Sequence, residues 1–265
     1  LLGHDLDAEN ALELLNSSQH KFWGQESNEI ELHMDEPVFE GQYSNACYTN
    51  RINEALAHFN TQKPTNFLKE WDQLIFHLPY AFQGRRMITP MWVKWMLDNN
   101  QGAVLSSETG LEIPEENSDE WNGFVKACSK TSTYKYYVTD TIAKGEIASS
   151  DIGNMYTASI FMSFISYLFA SSENNENLIG KSVGFLSYGS GSKSKVFNGV
   201  VQDNYLNKVK GLDLFNTLNN RKAIDFKTYE QLQKKALKSP LNSAELKLKN
   251  IGKEANDLGY RYYTV

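Results

Sequence analysis

Between Ser159 and Ala170 the chain is apolar on nearly every side, broken only by small residues. Ser159, Ser163, Ser166 and Ala170 recur at helical spacing and form a narrow small-residue stripe, while Ile160, Phe161, Phe164, Ile165 and Leu168 take most of the remaining surface. A helix apolar nearly all round belongs in an interior. This one is expected to be a central helix sandwiched between sheets, its small stripe against another helix. The run is short, carries several hydroxyls and has no basic flank, so a membrane span is rejected. Ahead of it stands Asp151-Ile152-Gly153-Asn154, a flexible turn with an amide side chain. At a helix start the free N–H groups point outward and can hold the oxygen of a thioester or an enolate.

Earlier in the chain, Tyr43 to Phe59 has helical periodicity, with Ala46, Ile52, Ala55, Leu56 and Phe59 available for one face. Pro64 ends that unit and Asn66 is placed to cap the next element. Leu74-Ile75-Phe76 is a short run of strand formers. Pro79 disfavours helix at the residue before it, which puts His77 and Leu78 at the strand's carboxyl end or on the loop leaving it. Ligands bind at such ends in open α/β sheets. Met87 to Leu97 predicts a helix packed on the sheet, stopped at Asn99-Asn100-Gln101-Gly102. Residues 103 to 150 are more polar and fit two helices, about 118–129 and 132–144, with Gly145 as a C-cap. Val183 to Leu186 and Val196 to Val201 predict two strands of a hairpin around Ser187-Tyr188-Gly189-Ser190-Gly191-Ser192. From Asn207 onward the pattern is charged and helical, and Tyr260 to Tyr263 reads as a closing strand or a tail.

The 265 residues suffice for one large α/β domain or two small ones. Hydrophobic content of 41% and charged content of 22% are those of a globular chain. A net charge of −6 argues against a nucleic-acid partner. Cys47 and Cys128 form no CxxC and predict neither a disulfide framework nor a zinc site, so no metal is expected. No secretory signal is seen, and a cytoplasmic location is the default. The first residues, Leu1-Leu2-Gly3-His4-Asp5, read as if entering midway along a buried strand, so further polypeptide upstream is expected.

Of the histidines, His4, His20, His33 and His58 lie in polar or amphipathic surroundings; His77 alone follows an apolar strand and precedes a proline within two residues. Taken singly, His77 reads as structural ahead of catalytic, and Asn154 as a helix cap. The Ser187–Ser192 turn lacks both GxGxxG spacing and a GK[ST] ending, so a nucleotide cradle is rejected. It is either a plain hairpin turn or a place where backbone approaches a substrate. Arg85 and Arg86 near a helix start are unfavourable for the dipole, which tilts them towards an anionic ligand. Cys47 and Cys128 read as structural thiols.

Taken in order, Phe76-His77-Leu78-Pro79-Tyr80 with Gly84-Arg85-Arg86, then Gly153-Asn154-Met155-Tyr156-Thr157-Ala158-Ser159, then Ser187-Tyr188-Gly189-Ser190-Gly191-Ser192 resemble the 3-hydroxy-3-methylglutaryl-CoA (HMG-CoA) synthase family. Pro37-Val38-Phe39-Glu40-Gly41 leading to Cys47-Tyr48 is a further match. The likeness covers most of the chain and corresponds to the family's C-terminal part. The ketoacyl synthases that prime fatty-acid synthesis are the nearest competitor, but their histidine is usually followed by Gln-Ala-Asn and lies closer to the asparagine.

The resemblance implies a thiolase-like α/β fold, layered αβαβα, here mainly its C-terminal half. It implies an acyltransferase of the mevalonate pathway. A cysteine is acetylated from acetyl-CoA, the acetyl group becomes an enolate and adds to the ketone of acetoacetyl-CoA, and hydrolysis releases HMG-CoA. By resemblance His77 orients and polarises the acetoacetyl group, and Asn154 hydrogen-bonds in the acyl site. Tyr188 and Ser190 close the site from the other side, Pro79 belongs to the substrate wall, and Arg85 and Arg86 reach CoA phosphate or the pantetheine channel. No cofactor beyond the CoA thioesters is implied, and members are usually homodimers.

No segment matches the family's nucleophilic cysteine or its general-base glutamate, which belong to its N-terminal portion. Without thiolate and base there is neither acyl-enzyme nor enolate. The chain alone is therefore expected to be inactive, supplying the histidine–asparagine half of a site. Two alternatives stand beside this: a relative that acts on β-ketoacyl groups held by a carrier protein, and a non-catalytic thiolase-fold partner that binds acyl-CoA.

Overall fold

A computed structural model of the chain describes residues 41–189, 192–237 and 247–264. Contacts divide the chain into two units, one running to Asn219 and the other spanning Asn220–Val265.

In the first unit, helix α1 (Gly41–Gln62) buries Tyr48, Ile52 and Leu56 at four-residue intervals. The expected face was right in Ile52 and Leu56; Ala46 points to solvent and Tyr48 takes its place. Pro64 comes next, then a single turn, α2 (Phe67–Glu70). Asn66 precedes it without capping through its side chain; instead its own N–H donates to Glu70 Oε1 at 2.7 Å.

Strand β1 (Gln73–Phe76) is buried along its whole length. It pairs parallel with β2 (Ser182–Gly189), which pairs antiparallel with β3 (Lys193–Val200). The expected hairpin is therefore present, and Ser187 to Gly189 belong to its strand rather than to its turn. An apolar run without alternation is what a strand covered on both faces requires. Leu74, Phe76 and Leu186 point into one cluster with α1 and with α3 (Gln83–Asp98), where Met87, Ile88, Trp92 and Val93 meet them. Ile75, Val183 and Phe185 point to the other face, against α8 (Ser159–Glu173) and α9 (Tyr205–Val209). The result is a helix–sheet–helix sandwich.

Residues 103 to 150 hold more helix than their polarity predicts: α4 (Gly102–Thr109), α5 (Trp121–Cys128), α6 (Ser132–Thr141) and α7 (Ala143–Ile152). Gly145 is not a C-cap. It lies inside α7, where an added Cβ would stand 2.7 Å from Ser163 Oγ and 3.3 Å from Ile75 Cδ1. The missing side chain lets α7 come down onto the small stripe of α8. Ser166 Oγ donates to Lys144 O (2.7 Å) and accepts from Ala148 N (3.2 Å), which satisfies two backbone groups at the crossing. The stripe thus does what its spacing predicts. The rest of α8 does not: among the described residues it has a sheet on one side only, and Phe161 is 58% exposed with Phe164 and Ile165 half-buried. No helix among the described residues is long and apolar enough to cross a membrane.

Helix α10 (Leu214–Asn219) closes the first unit. The second holds α11 (Phe226–Gln233), capped by Asp225 accepting from Thr228 N at 2.7 Å, and a hairpin of β4 (Lys247–Ile251) with β5 (Arg261–Thr264). Of the terminal tyrosines, Tyr262 and Tyr263 thus lie in a strand and Tyr260 precedes it.

Gly184 and Gly199 lie on neighbouring strands and differ in surroundings. A Cβ on Gly184 would fall 1.7 Å from the Trp71 ring, whereas one on Gly199 meets nothing within 4 Å. Gly184→Ala is expected to cost about 2–3 kcal/mol through overpacking, and Gly199→Ala to stay within about 0.5 kcal/mol. Urea-unfolding midpoints at unchanged slope measure both.

Candidate functional site

The site is built where β1 ends. The His77 N–H donates to Leu186 O (3.1 Å), so the β1–β2 ladder runs one residue past the strand. The His77 carbonyl accepts from the Tyr48 hydroxyl of α1 at 2.8 Å. With N–H and C=O both held, the side chain has little freedom in direction, and it is 6% exposed.

The imidazole is held from the opposite layer. Ser159 Oγ, at the first turn of α8, lies 2.7 Å from His77 Nδ1 and accepts from Leu78 N at 3.0 Å. With one lone pair given to Leu78, the hydroxyl proton is available to Nδ1. We therefore assign the neutral tautomer that carries its proton on Nε2. Burial pulls the His77 pKa below its ordinary 6.5, and a backbone hydrogen bond to Tyr156 works against that shift. The ring is thus uncharged at neutral pH, and its N–H is engaged by the Tyr156 backbone. Tyr188 stands across it, ring centroids 5.9 Å apart, and Tyr48 lies 5.1 Å from Tyr188. Burial, followed by Cys47, pushes the Tyr188 hydroxyl up to about 12.

Asn154 is not at a helix start. Helix α7 ends at Ile152, Gly153 turns the chain with φ +87°, and a 3₁₀ turn (Tyr156–Ala158) intervenes before α8. Asn154 Oδ1 accepts from Tyr156 N at 2.8 Å, an Asx turn on the exposed loop. Its Nδ2 donors have no protein partner among the described residues. Tyr156 adopts φ +51°, a strained value for a tyrosine, and the same residue supplies the backbone contact to His77. His77 and the loop that follows Asn154 are therefore neighbours through Tyr156, and the helix start belongs to Ser159.

The two arginines separate. Arg85 is bound to Glu146 of α7 through Nε (3.0 Å to Oε1) and Nη2 (to Oε2), a bidentate pair in which Glu146 is almost wholly buried. The unfavourable cation in the first turn of α3 is thereby compensated within the protein, which sequence spacing alone could not show. Arg86 is exposed, 3.4 Å from the Tyr80 hydroxyl, and Pro79 is half-buried on the same loop. Ser190 lies outside the described residues. Cys128 is in the core with its thiol pushed up to about 11 by burial, and Cys47 is half-buried on α1. Among the described residues no cluster of metal-ligating side chains occurs. Ser159 and Tyr48 were not singled out for this role by sequence. The available signal was position: a serine beginning a buried helix, and a tyrosine in register with Ile52 and Leu56.

Two measurements test this arrangement. Ser159→Ala strips Leu78 N of its acceptor and is expected to cost about 1–3 kcal/mol, the penalty of an orphaned buried donor. Because the folded pKa of His77 is depressed, below pH 6.5 the unfolded chain takes up a proton that the folded one refuses. Stability is therefore expected to fall as pH drops from the unfolded pKa to the folded one. Denaturation curves of His77→Asn measured across that range should lack this slope, so the difference between wild type and variant carries it.

Known proteins resemble this chain in sequence and in fold. The family described as hydroxymethylglutaryl-coenzyme A synthase C terminal matches residues 29–254. The hydroxymethylglutaryl-CoA synthase of Haloferax volcanii is 25% identical over 201 residues, which cover 73% of this chain and 45% of the relative. That of Saccharomyces cerevisiae is 26% identical over 210 residues, 73% of this chain and 41% of the relative. The chain thus spans less than half the length of these two relatives. Of solved structures, MvaS in complex with 3-hydroxy-3-methylglutaryl coenzyme A matches with a TM-score of 0.55 at 20% identity, covering 88% of this chain and 53% of that one. PksG, a HMG-CoA synthase from Bacillus subtilis, gives 0.54 at 16%, covering 76% and 42%. The fold is accordingly the thiolase-like α/β fold of these enzymes. A match over most of its residues decides the lineage: the chain belongs to the hydroxymethylglutaryl-CoA synthase C-terminal family.

Proposed function

We propose that this chain forms the acceptor-side wall of an HMG-CoA synthase, the part that holds and polarises acetoacetyl-CoA while an acetyl-derived enolate adds to its ketone. The observation that carries the reading is His77: a buried neutral imidazole held by Ser159 at 2.7 Å and by a backbone hydrogen bond to Tyr156. The imidazole N–H would turn from Tyr156 to the ketone oxygen when substrate enters. An N–H held in a dry site stabilises negative charge as it develops on the ketone oxygen. The Asn154 amide supplies a second donor on the neighbouring loop, and Tyr188 limits the acyl pocket on the far side.

Neither cysteine suits the nucleophile's task, Cys128 being buried with a raised pKa. The thiolate and the glutamate base are supplied by polypeptide outside the described residues, in the same chain or another. In this reading the protein is cytosolic, works as a homodimer and produces HMG-CoA for isoprenoid synthesis.

The test combines the chain with a polypeptide bearing the cysteine and glutamate. His77→Ala is expected to slow condensation about 10²–10⁴-fold, the range of a lost proton donor, with acetylation of the cysteine changed only a few-fold. Equal loss in both half-reactions would overturn the role. Offering acetoacetyl-CoA against its carrier-protein counterpart separates this reading from a β-branching enzyme, and the 265-residue chain alone should release no CoA.

A further inference from the structure

The Arg85–Glu146 pair lies between the two loops that carry the site. Arg85 sits in the first turn of α3, directly after the 77–82 loop, and its guanidinium lies 4.6 Å from the centre of the Phe82 ring on that loop. Glu146 sits in α7, the helix that runs out into Gly153-Asn154, and Ser150 Oγ donates to its carbonyl at 3.0 Å. The backbone of Arg85 is fixed as firmly as its side chain. Its carbonyl accepts from Thr89 Oγ1 (2.7 Å) and from the Tyr134 hydroxyl of α6, and those two hydroxyls lie 2.7 Å apart. Helix α7 cannot slide independently, because Ser166 ties it to α8 and so to Ser159.

A buried carboxylate gains nothing by mere burial; desolvation is the larger influence on Glu146 and Arg85 only partly offsets it. What the bidentate fork contributes is direction, since two parallel N–H···O bonds fix both distance and angle. We propose that Arg85 and Glu146 are positioning residues that set the spacing between the His77 loop and the Asn154–Ser159 loop, and that Arg85 serves the reaction through Glu146 rather than by gripping CoA phosphate. The proposal deepens the acceptor-wall reading and rests on it for its kinetic consequence alone.

The experiment has two readouts. In the isotope-labelled chain, Glu146→Gln and Arg85→Lys should each shift the His77 ring resonances and the Asn154 side-chain amide, with unfolding still cooperative. Resonances unchanged in both variants overturn the pair's role. In the combined enzyme, the same variants should lower kcat for condensation about 10- to 100-fold, the scale of a small misplacement, with KM for acetoacetyl-CoA held within about twofold. A phosphate ligand behaves differently. There Arg85→Lys or Arg85→Met raises KM for the CoA thioester but not for a pantetheine thioester lacking the nucleotide, and Glu146→Gln is silent; that pattern also overturns the proposal. If the wild-type combination does not condense at all, the functional reading has failed, and the resonances still decide the pair. Should Arg85→Met not fold, Glu146→Gln, which preserves shape, decides alone.

Discussion

The arrangement depends on one short contact between layers, from the Nδ1 of His77 to the hydroxyl of Ser159. It joins the residue that follows β1 to the residue that begins α8, two elements that pack on each other through apolar side chains. The hydroxyl is shared with Leu78 N, so the same atom satisfies a buried backbone donor and selects the imidazole tautomer. Tyr48 closes the third side through the His77 carbonyl. A polar residue this deeply placed is tolerable only because each of these groups finds a partner; in return its orientation is set by three different elements.

Much of this could be read from the chain. The strand at Leu74 to Phe76, the hairpin, and the placing of His77 at a strand's end all follow from local rules on strand formers and proline. The small stripe on α8 was legible too, because close helix packing needs small side chains at helical spacing. What failed was whatever depends on a partner far away in sequence. Gly145 resembles a cap until Ser163 occupies the space its side chain would need. Arg85 resembles a phosphate ligand until Glu146, 61 positions on, is seen to take its guanidinium. The polar stretch before Asn154 hid α4 and α7 because its buried positions are few and include serine, glycine and glutamate. Asn154 was misplaced by one element: the Gly-Asn signal marks the end of α7, and the 3₁₀ turn postpones α8 to Ser159.

The electrostatic character of the site is neutral. Burial lowers the pKa of His77 and raises those of Tyr48 and Tyr188, so each keeps its uncharged form near neutral pH. A neutral imidazole suits a reaction in which a carbonyl must be polarised without being handed a full proton, because an imidazolium beside a nascent enolate would quench it. The fully ionic pair nearby, Arg85 with Glu146, lies between the helices that lead out of the two loops. Under the two proposals above, charge would serve geometry and neutral groups chemistry.

In the function proposed above, that division would let the chain serve as half of a site. Condensation needs a thiolate to carry the acetyl group, a base to make the enolate, and an electrophile-binding wall to receive it. The first two act on the donor and demand shifted pKa values of their own; the third demands rigidity. In that reading His77, Ser159, Tyr48 and Tyr188 would meet the third requirement by packing and hydrogen bonding within residues 41–189. Phe161 remains exposed on α8 while Ser163 and Ser166, on its other side, are buried against α7. The helix that carries Ser159 is therefore held firmly by its small stripe and the sheet. Its aromatic side is what the described residues leave uncovered.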